Sequence, residues 1–201
     1  MVLINILTRT GNRERYFKTL KDSIEMQTYK NIRHIKSNDN PNCKFLTDET
    51  DVFPVVKDRS GGEVFYNLYL NHLGEQLKEG WVVVFDDDSK LIEPDFLEKL
   101  AEVCETSNEN DILIYQSRLA KNSIIPNDHN FEHKHIERAK IDMINFCAHY
   151  SVFSKFKFTS KGCGDFFFLD DIKKSNEYNF KFVKLPIGAW ANYDGCKKGG
   201  A

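Results

Sequence analysis

Residues 81–85, Trp-Val-Val-Val-Phe, are apolar without a break and stop against three consecutive aspartates, Asp86, Asp87 and Asp88. Successive side chains of a strand point to opposite faces, so a strand apolar at every position has to be covered from both sides. That requirement puts it inside a sheet flanked by helices. The neighbouring segments carry matching signals. Residues 2–7 form a short β-rich run interrupted only by Asn5, which gives way at Thr10-Gly11-Asn12 to Phe17, Leu20 and Ile24 at helical spacing. Segments 32–36 and 52–57 are further strand candidates, each followed by turn-forming residues. Phe65, Leu68, Tyr69, His72, Leu73 and Leu77 make one predicted helical face that Gly80 stops. Pro94 opens another helix with Phe96, Leu97, Leu100 and Ala101 on one face, and 112–115 is the next strand.

Strands alternating with helices predict right-handed crossovers and an α/β fold with a mostly parallel, doubly wound, Rossmann-like sheet. Ligands of such sheets bind beyond the carboxyl ends of the strands. Residues 8–13, 37–39, 58–62 and 86–89 all fall on that edge, and they are the polar ones. The second half is less regular. Residues 119–140 contain Pro126 and three histidines and read as a long loop or short helix over the site. Apolar segments 141–146 and 150–158 follow, then Gly162-Cys163-Gly164, a helix over 165–174 and a strand over 180–185.

A chain of 201 residues with 41% hydrophobic content is expected to form one globular domain. Its 28 basic residues against 30 acidic ones leave no basic field for a nucleic acid. The five cysteines are scattered, with no CxxC pair, which argues against a disulfide framework and a structural zinc site and favours reduced thiols in a cytoplasmic protein. No apolar run approaches the roughly 20 residues of a membrane span, so no transmembrane segment is expected. The closing residues 197–201 carry no apolar pattern and are expected to mark a cut from a larger polypeptide.

Three adjacent carboxylates after a buried strand repel one another unless a cation shares them. Oxygen ligands suit Mn²⁺ or Mg²⁺, with Asp86 and Asp88 as candidate metal-site residues. A solvated acidic turn is the plain alternative. Nothing completes a zinc site around His129, His133 and His135. Trp190 and Tyr193 read as covers of the core.

Taken in order, VLINILTRTGNRERYFKTL, MQTYKNI, RHIKSNDN, RSGGEVFYN and VVVFDDDSKLIEPDFLEKL resemble the family 2 type of glycosyltransferase with the GT-A fold, over residues 1 to 105. The resemblance implies a nucleoside-diphosphate-sugar donor, a UDP-sugar first, and a metal-dependent hexosyl transfer. Asp39 matches the position that contacts the base, and Thr8 and Arg9 match the loop beside it. Asp86 would meet the ribose and Asp88 the ion on the diphosphate, with Asp87 between them. Arg13 and Arg59 are candidates for bonds to phosphate. Asn67 is read as structural.

The segment KGCGDFFFLDDI is similar to the family's base motif, which makes Asp165 the candidate catalytic base of an inverting single displacement. An aspartate there also suits a helix N-cap, while Asp170 and Asp171 suit a solvated face. IDMINFCAHYSVF is similar to a segment preceding the base, with Asp142 and His149 as candidates for sugar or acceptor contact. The division expected is a nucleotide-binding half, 1–105, and an acceptor and base half, 106–201, with a glycan, lipid-linked saccharide or protein as acceptor. Two rivals remain at this level: a sugar-nucleotide nucleotidyltransferase, which would want more than the one glycine of TRTGNRER, and a non-catalytic domain that binds a glycan or partner.

Overall fold

The computed structural model describes residues 1–55 and 64–194. The chain opens with β1 (Ile4–Thr10), α1 (Glu14–Glu25), β2 (Ile32–Asn38) and β3 (Val52–Pro54). It continues through α2 (Leu68–Gly74), β4 (Trp81–Val84), β5 (Ser89–Leu91), α3 (Phe96–Glu105) and β6 (Asp111–Ile114). Short pieces follow: β7 (Ser117–Leu119), β8 (Ser123–Ile125) and α4 (Asp128–Glu132). The last part holds β9 (Phe146–His149), α5 (Tyr150–Lys155), α6 (Gly164–Ser175), β10 (Asn179–Phe182) and β11 (Ala189–Ala191).

Among the described residues, seven strands form one sheet in the order β10-β6-β9-β4-β1-β2-β3. The pairs β1–β2, β1–β4, β2–β3 and β6–β10 are parallel, and β9 runs antiparallel between β4 and β6. The expected α/β sheet is therefore present, with one reversed strand inside it. The unbroken apolar run of β4 has its reason in the two cores. Trp81, Val83 and Phe85 pack on one side with Leu20 and Ile24 of α1 and Phe96, Leu97 and Leu100 of α3. Val82 and Val84 pack on the other with Leu70 and Leu73 of α2, Val152 of α5 and Leu169 of α6. Each such side chain contributes roughly 1.5–3 kcal/mol when fully buried. Asn5, the one polar residue in the first run, donates to the carbonyl of Glu79 at 2.7 Å, so its burial costs little.

Phe17, Leu20 and Ile24 are the buried face of α1, as their spacing predicts. The helix after residue 64 is shorter than its pattern predicts. A 3₁₀ turn, Phe65–Asn67, precedes α2, which ends at Gly74, well before Gly80. Gly80 adopts φ +86° at the entry to β4, with the Leu3 carbonyl only 2.6 Å from where a Cβ would stand. A four-stranded second sheet, β5-β11-β7-β8, was not visible in the sequence. No helix of the described residues is long and apolar enough to cross a membrane. Cys43, Cys104, Cys147 and Cys163 are free thiols. Residues 197–201 lie outside the described residues.

Candidate functional site

Strands β1 and β4 are parallel neighbours with Leu7 beside Val84, so the residues that follow each strand leave the sheet on the same edge. That register brings Arg9 to Asp86 and Arg13 to Asp87 and Asp88. Arg9 donates Nε to Asp86 Oδ1 at 2.7 Å and Nη2 to Oδ2, a bidentate fork. Arg13 spans the next two carboxylates: Nε and Nη2 to Asp87, and Nη1 to Asp88 Oδ2 at 2.9 Å. Five of the triplet's six carboxylate oxygens thus accept from two guanidiniums. Burial works against the charge on Arg9, but Asp86 outweighs it and raises the pKa; Arg13 follows the same logic with Asp87 and Asp88. Burial, with the like charges of Asp88 and Asp86, pushes the Asp87 carboxyl up to about 7 despite Arg13. Asp88 is raised for the same reasons, burial first and Asp86 next.

These residues form one wall of a cavity of about 930 Å³. Asp39, which follows β2, reaches the same cavity beside Gly11. A Cβ at Gly11 would fall 2.1 Å from Asp39 Oδ1, so only glycine lets that carboxylate lie against the loop after β1. A second wall, built by later elements, holds Asp142 and Asp165. Asp142 precedes the turn Met143–Asn145 and caps it, accepting from the Ile144 N–H at 3.3 Å. Asp165 sits in the first turn of α6 and accepts the N–H of Phe166 at 2.7 Å; the N-cap itself is Cys163, at φ 62°. Burial pushes Asp165 up to about 6, the N–H of Phe166 opposing. Burial, then the charges of Asp165 and Asp86, push Asp142 up to about 7.

Asn67 ties the two walls together. It is buried, its Oδ1 accepts from Arg9 Nη1 at 2.7 Å, and its Nδ2 donates to the Thr159 carbonyl at 3.2 Å, in the loop that leads to α6. Gly164 starts α6 against that amide: a Cβ there would lie 2.3 Å from Asn67 Nδ2. Tyr66 adds a ring under Arg9, with the guanidinium carbon 4.9 Å from its centroid. The sequence does not mark Tyr66, since an exposed aromatic within a 3₁₀ turn carries no signal of its own.

The expected residues distribute unevenly. Arg9, Arg13, Asp39, Asp86, Asp87, Asp88, Asp142 and Asp165 all line the cavity. Thr8 stands behind the wall: it is fully buried, its hydroxyl donating to the Phe85 carbonyl at 2.7 Å and meeting His34 Nε2 at 2.9 Å. Arg59 lies outside the described residues. His149 is placed far from the cavity, because β9 runs antiparallel and pairs His149 with Trp81 at the opposite end of β4 from Asp86. His129, His133 and His135 are neighbours on the surface, with ring centroids 4.3 to 6.2 Å apart. Among the described residues no group of three such side chains is arranged to hold a metal ion. Asp170 pairs with Lys174 at 2.5 Å on the outer face of α6.

No protein-family model matches the chain, and no curated protein sequence matches it. Solved structures do match. S. aureus TarS 1-349 superposes with a TM-score of 0.67 at 12% identity, over 94% of this chain and 60% of that one. The same protein in complex with UDP-GlcNAc gives 0.64 at 11% identity, over 99% and 60%. The mannosyltransferase PcManGT from Pyrobaculum calidifontis, in complex with GDP-Man and Mn²⁺, gives 0.67 at 12% identity, over 95% and 57%. This chain therefore spans about three fifths of the length of each of them. At these identities the likeness speaks for the backbone arrangement: the chain has the GT-A glycosyltransferase fold.

Proposed function

We propose that the chain is a glycosyltransferase domain that moves a sugar from a nucleoside-diphosphate sugar to an acceptor hydroxyl. The single observation that carries this reading is the cavity itself, which faces a guanidinium-laced acidic wall toward two carboxylates held near neutral pKa. Residues 1–105 supply the donor half and 106–201 the acceptor and base half. The solved structures of this fold with UDP, UDP-GlcNAc and GDP-Man support a sugar-nucleotide donor, and a UDP-sugar is the first candidate.

On this reading Asp39 meets the base, Asp86 the ribose, and Arg9 and Arg13 turn part of their hydrogen-bonding capacity to the diphosphate. Asp165 in its ionised form takes the proton of the acceptor hydroxyl. The acceptor oxygen bonds to the anomeric carbon as the bond to the diphosphate breaks, which inverts that centre.

The donor chemistry suits a hard divalent cation. Six carboxylates, Asp39, Asp86, Asp87, Asp88, Asp142 and Asp165, share the cavity with the guanidiniums of Arg9 and Arg13, so acid outnumbers base even before a diphosphate enters. Asp88, with Asp86, would hold the ion. Bound there, Mn²⁺ or Mg²⁺ supplies positive charge for the departing diphosphate.

The test is a calorimetric and thermal-shift titration with UDP, GDP and dTDP, with and without Mn²⁺, on wild type and Asp88→Ala. One nucleotide is expected to stabilise the wild type in a Mn²⁺-dependent way that the variant loses. Absence of binding by all three would remove the donor-site reading. Label exchange between a nucleoside triphosphate and a sugar phosphate would replace it with nucleotidyl transfer.

A further inference from the structure

Basic and acidic residues are nearly balanced in this chain, 28 to 30. Its half-buried arginines follow that balance: Arg9 pairs with Asp86, Arg13 with Asp87 and Asp88, and Arg33 with Asp51. Lys90 and Arg118 do not. Among the described residues neither has a carboxylate partner, and Arg118 Nε is buried with no acceptor. Both cations lie on Trp190 instead, Lys90 Nζ 4.7 Å and Arg118 Cζ 5.4 Å from the ring centroid. The second sheet explains the arrangement. Trp190 of β11 pairs with Lys90 of β5 on one side and Arg118 of β7 on the other, so all three project from one face. Ser89 and Ala191, the adjacent pair on the opposite face, line the cavity.

The row continues back to the cavity. Lys90 Nζ is 4.8 Å from the Tyr193 ring, Tyr193 meets Tyr16 edge to face at 6.0 Å, and Arg13 on the cavity wall lies 5.9 Å from Tyr16. Three cations and three aromatic rings therefore run from the cavity wall outward in the order Arg13, Tyr16, Tyr193, Lys90, Trp190 and Arg118. Asp87 and Asp88 hold Arg13 at the cavity end of the row, and Asp194 accepts from the Tyr16 hydroxyl at 2.9 Å.

We propose that this track, which reaches the cavity at Arg13, is the surface that guides the acceptor to it, and that it binds an anionic saccharide carrying phosphate or carboxylate groups along its chain. The proposal rests on the glycosyltransferase reading and names its acceptor class. Aromatic side chains offer an apolar body with a polar tip, a match for sugar rings that present C–H faces between hydroxyls. Lys90 and Arg118 add charge with no internal partner to displace, and packing on Trp190 limits the freedom they lose on binding. A bilayer surface is disfavoured because the indole is half-buried between the two cations and presents no apolar wedge.

Trp190 reports on its own occupancy, since the second tryptophan, Trp81, is buried in the core at 4% exposure. The experiment is a fluorescence titration of the full chain with hexagalacturonate, a phosphorylated oligomannoside and neutral maltohexaose, at about 50 and about 300 mM salt. At least one anionic saccharide is expected to bind about tenfold tighter than maltohexaose and to weaken at the higher salt. It should lose about tenfold again in Lys90→Gln/Arg118→Gln, at an unchanged melting temperature. Lys90→Gln alone serves if the double variant does not fold. Whether the uronate or the phosphate probe binds identifies the anion. Equal binding of the neutral saccharide, indifference to the substitutions, binding of none of the three, or capture by phosphatidylglycerol vesicles in their place would each overturn the proposal. The donor reading is tested separately by the nucleotide titration: substitution-sensitive saccharide binding in a chain that takes no nucleotide removes the donor site and leaves the track.

Discussion

The two walls of the cavity hold their carboxylates in opposite ways. On the first wall Asp86, Asp87 and Asp88 are laced by Arg9 and Arg13. On the second, Asp142 and Asp165 have backbone N–H partners and form no ion pair among the described residues. The first wall is thus compensated by fixed positive charge, and its arginines are available to share with an incoming polyanion. The second is compensated by protons, with Asp165 near 6 and Asp142 near 7. Asp87 on the first wall is raised to about 7 as well, but it is held by two nitrogens of Arg13. No guanidinium pairs with Asp142 or Asp165 among the described residues, which leaves their carboxyls open to exchange a proton with a bound acceptor. On the proposed reading, the contrast gives charge handling to one wall and proton transfer to the acceptor to the other.

The sharpest way to break that contrast is Asp165→Asn. A missing general base costs about 10²–10⁴-fold in rate, so transfer should fall by that factor while the affinity for the donor nucleotide, held by the other wall, stays within about threefold. Turnover is followed as nucleoside diphosphate released from the donor that the titrations identify. In the wild type the rate should drop as pH falls through about 6, because burial raises the Asp165 carboxyl to that value and only its ionised form accepts a proton. Equal losses of rate and nucleotide affinity would show that the division between walls is wrong.

Mn²⁺ probes the first wall. A carboxyl whose folded pKa is raised above its unfolded one favours the folded state at low pH. That advantage is lost as pH climbs from about 4 toward the folded value, about 7 for Asp87, and Asp88 shifts in the same direction. A cation should restore what deprotonation removes, since it needs the ionised ligands. Saturating Mn²⁺ at about a hundredfold over Kd is expected to stabilise by about 2.7 kcal/mol at pH 8 and by far less at pH 5, read as the shift in melting temperature. The same shift at both pH values would place the ion elsewhere.

How far the site can be read from the sequence follows from the range of each interaction. The strands and helices of the first half, the acidic triplet and Asp165 are marked by local patterns: an unbroken apolar run, a helical period, an acid after a glycine. The second sheet left no such mark, because β5, β7, β8 and β11 are three residues each, shorter than any stretch over which alternation can be recognised. The reversed direction of β9 was equally hidden, and with it the placing of His149, since FCAH reads the same in either orientation. Arg9 was legible as a polar residue at the strand end, but not as the partner of Asp86, 77 residues away. The register of two parallel strands decides that pairing.

Asn67 is the point where the walls join, and its removal should sharpen the comparison. Asn67→Ala leaves Arg9 Nη1 without its 2.7 Å acceptor and releases the Thr159 carbonyl. A buried group left unpaired costs about 1–3 kcal/mol, so a stability loss near the middle of that range is expected. A merely structural defect would lower stability alone. A joint between donor wall and base helix predicts in addition a turnover loss larger than the loss of nucleotide affinity, and partial rescue by Asn67→Asp, which keeps the acceptor for Arg9. Turnover and affinity that remain at wild-type values would reduce Asn67 to a core amide.

The smallest effect belongs to Thr8, where likeness to the family's loop implied a role in binding and the fold gives the hydroxyl another occupation. Its one proton goes to the Phe85 carbonyl, so it accepts from His34, whose Nε2 must carry a proton. His34 is neutral there, its pKa lowered to about 3 by burial and then by Lys36 and Lys21. Thr8→Val keeps the shape and removes the link. His34 is half-buried and can turn its N–H toward water, which limits the damage to about 1 kcal/mol, a drop of roughly 2–4 °C in melting temperature. Nucleotide affinity should not move, because the hydroxyl faces the strand behind the wall and the substitution leaves Arg9 in its fork with Asp86. A tenfold loss of affinity at unchanged stability would mean that the loop after β1 rearranges on binding to bring Thr8 forward, and the first wall would then be a moving part rather than a fixed one.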